Sequence, residues 1–111
     1  MTDKLVDVVV KRSKWFRGQG ANESYLLGTD GLMCCMGFAA LAQGVPKERI
    51  LNYQTFYQTG ELRTPAGNAS NNRVLNSLYV TNDSERITDE ERETEITRLG
   101  LKEGYNFSFV D

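Results

Sequence analysis

Residues 87–110 read ITDEERETEITRLGLKEGYNFSFV, and this one stretch carries both a helix and a strand signal. Thr88 is followed three residues later by Glu91, the spacing of a capping box, in which hydroxyl and carboxylate each satisfy a backbone N–H left open at a helix start. Asp89, Glu90 and Glu91 lie where the positive end of a helix dipole favours anions. Ile96 and Leu99 at i, i+3 add a narrow apolar stripe and Gly100 supplies a stop, so the pattern predicts an acidic amphipathic helix from Thr88 to Leu99. Beyond it Tyr105, Phe107 and Phe109 alternate with Asn106 and Ser108, the period of a half-buried strand.

At the other end, Leu5, Val6, Val8, Val9 and Val10 form a run whose β-branching restricts χ1 in a helix, which predicts a strand over residues 5–12. Ser24–Leu27 reads as a second short strand, and Gly28-Thr29-Asp30-Gly31 as a chain reversal. Met33 to Gln43 is apolar on nearly every face and is followed by Gly44 and Pro46, the pattern of a buried helix with a glycine stop. Lys47–Leu51 adds a helical turn after Pro46. Residues 52–72 show no clean period and read as a long loop. Arg73–Val80, with Val74, Leu75, Leu78, Tyr79 and Val80, reads as a further strand. The expected fold class is therefore α+β: a small single domain over residues 1–111, with a mostly antiparallel sheet of about four strands, one buried helix and one acidic amphipathic helix.

The chain has 111 residues, 40% of them hydrophobic and 25% charged, which is ordinary globular composition and excludes wholesale disorder or a fibrous repeat. The apolar run from Leu32 to Ala42 is about half of what a bilayer crossing needs, and the N-terminus lacks a basic-then-apolar signal pattern, so a soluble protein in the cytoplasm is expected. With no His and two adjacent Cys, the common zinc sites and His-based triads are chemically unavailable, and no cofactor is expected. Gly18-Gln19-Gly20 lacks the third glycine of a dinucleotide loop. Neighbouring thiols on a helix point about 100 degrees apart, so Cys34 and Cys35 read as buried structural thiols.

Charge is uneven. The net charge is -2, yet residues 1–20 carry a surplus of three positive charges and residues 81–111 a deficit of five, which reads as solvated surface charge, as steering of an anionic ligand to one region, or as pairing of the chain's own ends. In Lys11-Arg12-Ser13-Lys14-Trp15-Phe16-Arg17, four cations interleave with two aromatics. Guanidinium groups grip phosphate oxygens and an aromatic face stacks on a base, which suits a phosphorylated nucleotide or a single-stranded segment; alternatively Trp15 and Phe16 belong to the core and the cations to the solvent side. Tyr53, Phe56 and Tyr57 at i, i+3, i+4 form a second aromatic patch, either core or a ligand or subunit contact. The candidate ligand-binding residues are Arg12, Lys14, Trp15, Arg17, Tyr53 and Tyr57. Duplex nucleic acid is disfavoured by the acidic balance. Glu91 and Glu95 share a helix face, read as solvated surface rather than a metal site or a catalytic carboxylate pair.

Arg12–Gly18, Met33-Cys34-Cys35-Met36-Gly37-Phe38, Tyr79-Val80-Thr81-Asn82-Asp83 and the terminal Phe107-Ser108-Phe109-Val110 resemble a group of small uncharacterised bacteriophage proteins with a Cys-Cys-x-Gly-Phe helix start. The resemblance assigns no catalytic residue. It implies a non-enzymatic accessory protein of the host bacterial cytoplasm, possible in two forms. The first sequesters a nucleotide-derived immune signalling molecule as a counter-defence, with a homo-oligomer enclosing what one short chain could not. The second is a protein-protein inhibitor of a host or defence enzyme, docking through an acidic surface that contains Glu90, Glu91 and Glu95. An enzyme using Asp or Glu ranks last.

Overall fold

A computed structural model describes residues 5–18, 25–53, 64–65 and 73–111. Strand β1 (Val6–Lys11) and strand β2 (Tyr105–Val110) come from opposite ends of the chain and pair in parallel, Val6 opposite Tyr105 through Lys11 opposite Val110. Between them run helices α1 (Cys35–Ala42), α2 (Arg73–Asp83) and α3 (Asp89–Lys102), with 3-10 turns at Arg12–Lys14 and Lys47–Arg49. The period-2 pattern places Val8, Val10, Tyr105 and Phe107 inward and leaves Asp7, Val9, Asn106 and Ser108 exposed. On the outer face Asn106 Nδ2 donates to Asp7 Oδ1 at 2.9 Å across the pair. On the inner face α1 packs against β1 and α3 against β2, while α2 packs on both helices. The core between these layers holds Met36, Ala39 and Ala40 of α1, Leu75 and Leu78 of α2 and Ile96 and Leu99 of α3.

The fold is α+β, but the expected antiparallel four-stranded sheet is overturned: among the described residues there are three helices and only two strands, and those are parallel. Residues 73–83 are helical because their buried side chains, Leu75, Leu78 and Asn82, recur at i, i+3, i+7, one stripe of a 3.6-residue period. The β-branched and aromatic content that suggested a strand is a weaker determinant than this spacing. Leu27 forms an isolated bridge with Leu51 rather than a strand, and Ser24 lies outside the described residues.

The capping box at Thr88 is present: its side chain accepts from Glu91 N at 3.1 Å and Glu91 Oε1 accepts from Thr88 N at 2.9 Å. Gly100, expected to stop this helix, sits inside it. A Cβ there would stand 2.4 Å from Phe107 Cδ2, so the missing side chain is what lets α3 close on β2, and the chain turns instead at Gly104 with φ 91°. The predicted Met33–Gln43 helix is α1, and a Cβ on Gly37 would lie 1.7 Å from the Leu26 carbonyl oxygen. No described helix is long and apolar enough to cross a membrane.

Candidate functional site

The site grows from the segment that follows β1. After the 3-10 turn, Phe16 N donates to Met33 O and Met33 N to Lys14 O, both at 2.9 Å, which ties the basic segment to the chain entering α1. This turns Trp15 inward. Its indole Nε1 donates to Asn82 Oδ1 at 2.7 Å, its ring lies 4.9 Å from that of Phe109, and the Arg17 guanidinium carbon sits 4.5 Å above it. Trp15 is thus a core residue with a cation over its ring rather than an open stacking platform.

Asn82, at the end of α2, holds the segment in place. Its side chain accepts from Trp15 and, at 2.9 Å, from Cys35 N, and it donates to Phe16 O and Asp83 Oδ1 at 3.0 Å. Its backbone carbonyl accepts from Gly18 N at 2.9 Å. The chain from 15 to 18 is therefore fixed beside the start of α3.

There two guanidinium groups converge on one carboxylate. Arg92 Nη1 donates to Asp89 Oδ1 at 2.6 Å and Arg17 Nη2 to Asp89 Oδ2 at 3.3 Å. The Arg92 side chain is 3% exposed, that of Arg17 23% and that of Asp89 58%. Backbone carbonyls hold the cations: Arg92 Nη2 donates to Ser84 O and Ile87 O, and Arg17 Nη1 to Arg12 O and Trp15 O. The Arg92 Nε is buried and has no hydrogen-bond partner among the described residues. An open recess of about 540 Å3 lies over these groups, lined by Phe16, Arg17, Gly18, Glu85, Asp89 and Arg92 among others. A Cβ on Gly18 would fall 3.0 Å from Arg92 Nη2, and Gly18 has φ 70°, so glycine permits both the bend and the approach.

The recess therefore brings Trp15 and Arg17 together and leaves the other candidates elsewhere. Arg12 forms a bidentate pair with Glu93, at 2.9 Å for both contacts, and donates to Asp111 at 2.9 Å; these carboxylates raise its pKa. Lys14 is exposed outside the lining, Tyr53 is 40% exposed away from it, and Tyr57 lies outside the described residues. On the acidic helix, Glu91 is spent in the capping box, while Glu95 accepts from Arg98 Nε and Nη2 at 2.9 and 2.8 Å, which lowers its pKa. Glu90 is exposed. The basic and acidic ends do pair with each other, through Arg12–Glu93 and Arg17–Asp89.

Arg92 escaped the sequence reading, although the signal was there: 92, 96 and 99 share the buried face of α3, so a cation stood in the apolar stripe. Cys34 and Cys35 are free and buried, and burial pushes the Cys34 thiol up to about 12 and Cys35 up as well, the opposite of what a nucleophile needs. Among the described residues no three metal-ligating side chains gather. No family model, curated protein or solved structure matches the chain.

Proposed function

We propose that this chain is a non-enzymatic accessory binding protein of bacteriophage type that takes up a phosphorylated, nucleotide-derived small molecule in the recess beside the start of α3. The observation that carries the reading is the convergence of Arg17 and Arg92 at one open recess, because paired guanidinium forks are the side chains best matched to phosphate oxygens. The N-terminus of α3 adds a favourable potential for an anion at the same place. Half-buried Phe16 in the lining, rather than Trp15, offers the aromatic surface for a base. Sequestration of an immune signal fits such a site, acting in the host cytoplasm, with a second copy of the chain closing over the open side.

Inhibition of a host enzyme through Glu90, Glu91 and Glu95 has weaker support, since two of these carboxylates already serve their own helix.

Calorimetric titration with AMP, cyclic AMP and a cyclic dinucleotide tests the reading. Wild-type protein is expected to bind at least one of them, and Arg17→Ala to lose about tenfold or more in affinity with an unchanged circular dichroism spectrum. Equal binding by Arg17→Ala, or no binding of any of the three by wild type, overturns it.

A further inference from the structure

We infer that the recess selects a phosphate monoester dianion, and that Asp89 is the internal anion such a ligand displaces; the inference rests on the binding reading above. Each Asp89 oxygen takes a different guanidinium, Oδ1 that of Arg92 and Oδ2 that of Arg17. A carboxylate bridging two arginines occupies the place that two oxygens of a phosphate would fill, and a phosphate has a further oxygen to turn toward solvent.

The partners differ in what holds them. Both arginines are anchored by backbone carbonyls, and the Arg92 side chain is almost wholly buried. Asp89 is the exposed member of the trio, on the first residue of α3. When the carboxylate swings outward the cations therefore stay in place, and the site is preorganised for the replacement. The capping box at Thr88 and Glu91 does not involve Asp89, so the helix start survives the exchange.

Charge decides the ligand class. Exchanging Asp89 for a phosphodiester trades one negative charge for one, with little electrostatic gain. A monoester carries about -1.5 to -2 at pH 7, so it brings more negative charge to the two guanidinium groups than the carboxylate it displaces. The other carboxylate in the lining, Glu85, is exposed, and its repulsion is screened by solvent and salt.

The test is calorimetric titration of AMP, a monoester, and cyclic AMP, a diester, into wild type, Asp89→Asn, Asp89→Ser and Arg17→Ala. Wild type is expected to prefer AMP by about fivefold or more, and each Asp89 variant to bind AMP about tenfold tighter than wild type. The serine variant keeps a residue suited to a helix start if the asparagine variant folds poorly. The Asp89 13Cγ resonance of wild type provides a second readout, expected to shift as AMP is added. Unchanged or weaker AMP binding by a folded Asp89 variant, or a static Asp89 resonance at saturation, overturns the displacement while leaving the binding reading intact if Arg17→Ala still loses AMP. Equal or stronger binding of cyclic AMP to wild type overturns the monoester assignment. If neither nucleotide binds wild type or the Asp89 variants, the inference falls, and the binding reading falls with it when the cyclic dinucleotide also fails to bind.

Discussion

Trp15 Nε1 lies 2.7 Å from Asn82 Oδ1, and that one oxygen also accepts the backbone N–H that opens α1, at Cys35. One side-chain amide thus joins the segment that follows β1, the start of α1 and the end of α2, while the backbone carbonyl of the same residue accepts from Gly18 N and fixes the chain beside Arg17. A buried donor stripped of its partner costs about 1–3 kcal/mol. Asn82→Ala strands two such donors, so it is expected to lower unfolding free energy by about 3 kcal/mol in urea denaturation. In a Trp15→Phe background the same change should cost about 1 kcal/mol less, because one of the donors is already gone. Additive costs would mean that the indole bond contributes nothing.

Gly37 is required by backbone, which cannot move aside as a side chain can. With the Leu26 carbonyl oxygen 1.7 Å from where a Cβ would stand, Gly37→Ala must push α1 off residues 26–27. The expected cost is about 3 kcal/mol or more, at the upper end of overpacking. A urea midpoint like that of wild type would show that the approach is loose.

These two residues show how much of the fold was written plainly. Trp15, Cys35 and Asn82 converge on one structural junction, with Gly37 two residues further along α1; the contact is not legible in the sequence, because its three members are separated by long intervals of chain. Thr88 and the alternating Tyr105–Phe109 were legible since local hydrogen bonding and period decide them. The parallel pairing was not, because strand direction is set by the path of the chain between the two strands rather than by either strand. Of the recess, Trp15 and Arg17 could be named from the basic cluster, whereas Arg92 and Asp89 belong to a helix whose charges looked like ordinary surface.

The inward ring of Phe107 and the missing side chain of Gly100 form a second matched pair. A Cβ at 100 would meet Phe107 Cδ2 at 2.4 Å and Cε2 at 2.6 Å, but a ring, unlike a carbonyl, has somewhere to go. Gly100→Ala gains about 1 kcal/mol of helix propensity and loses more to the clash, for a net destabilisation of about 1–2 kcal/mol. Combined with Phe107→Leu the clash is relieved, and the double variant should be more stable than the sum of the single costs, measured as a double-mutant cycle by denaturation.

The buried thiols set an alkaline limit on stability. Burial raises Cys34 from an ordinary value near 9 to about 12, with Cys35 raised as well. Between these values the unfolded chain has released a proton that the folded chain still holds. The unfolded state then binds fewer protons, and unfolding free energy falls as pH rises. The urea midpoint should be unaffected by these thiols below pH 9 and decline from there toward about 12, with the burial-raised Tyr105 hydroxyl adding to the loss above pH 10. Replacing both cysteines by alanine should flatten the earlier part of that decline, leaving the tyrosine part. The same burial predicts that a thiol-specific disulfide reagent at pH 8 labels neither cysteine in the native protein and both once guanidinium unfolds it. Rapid native labelling would place a thiol at the surface and remove the cause assigned to the pH dependence.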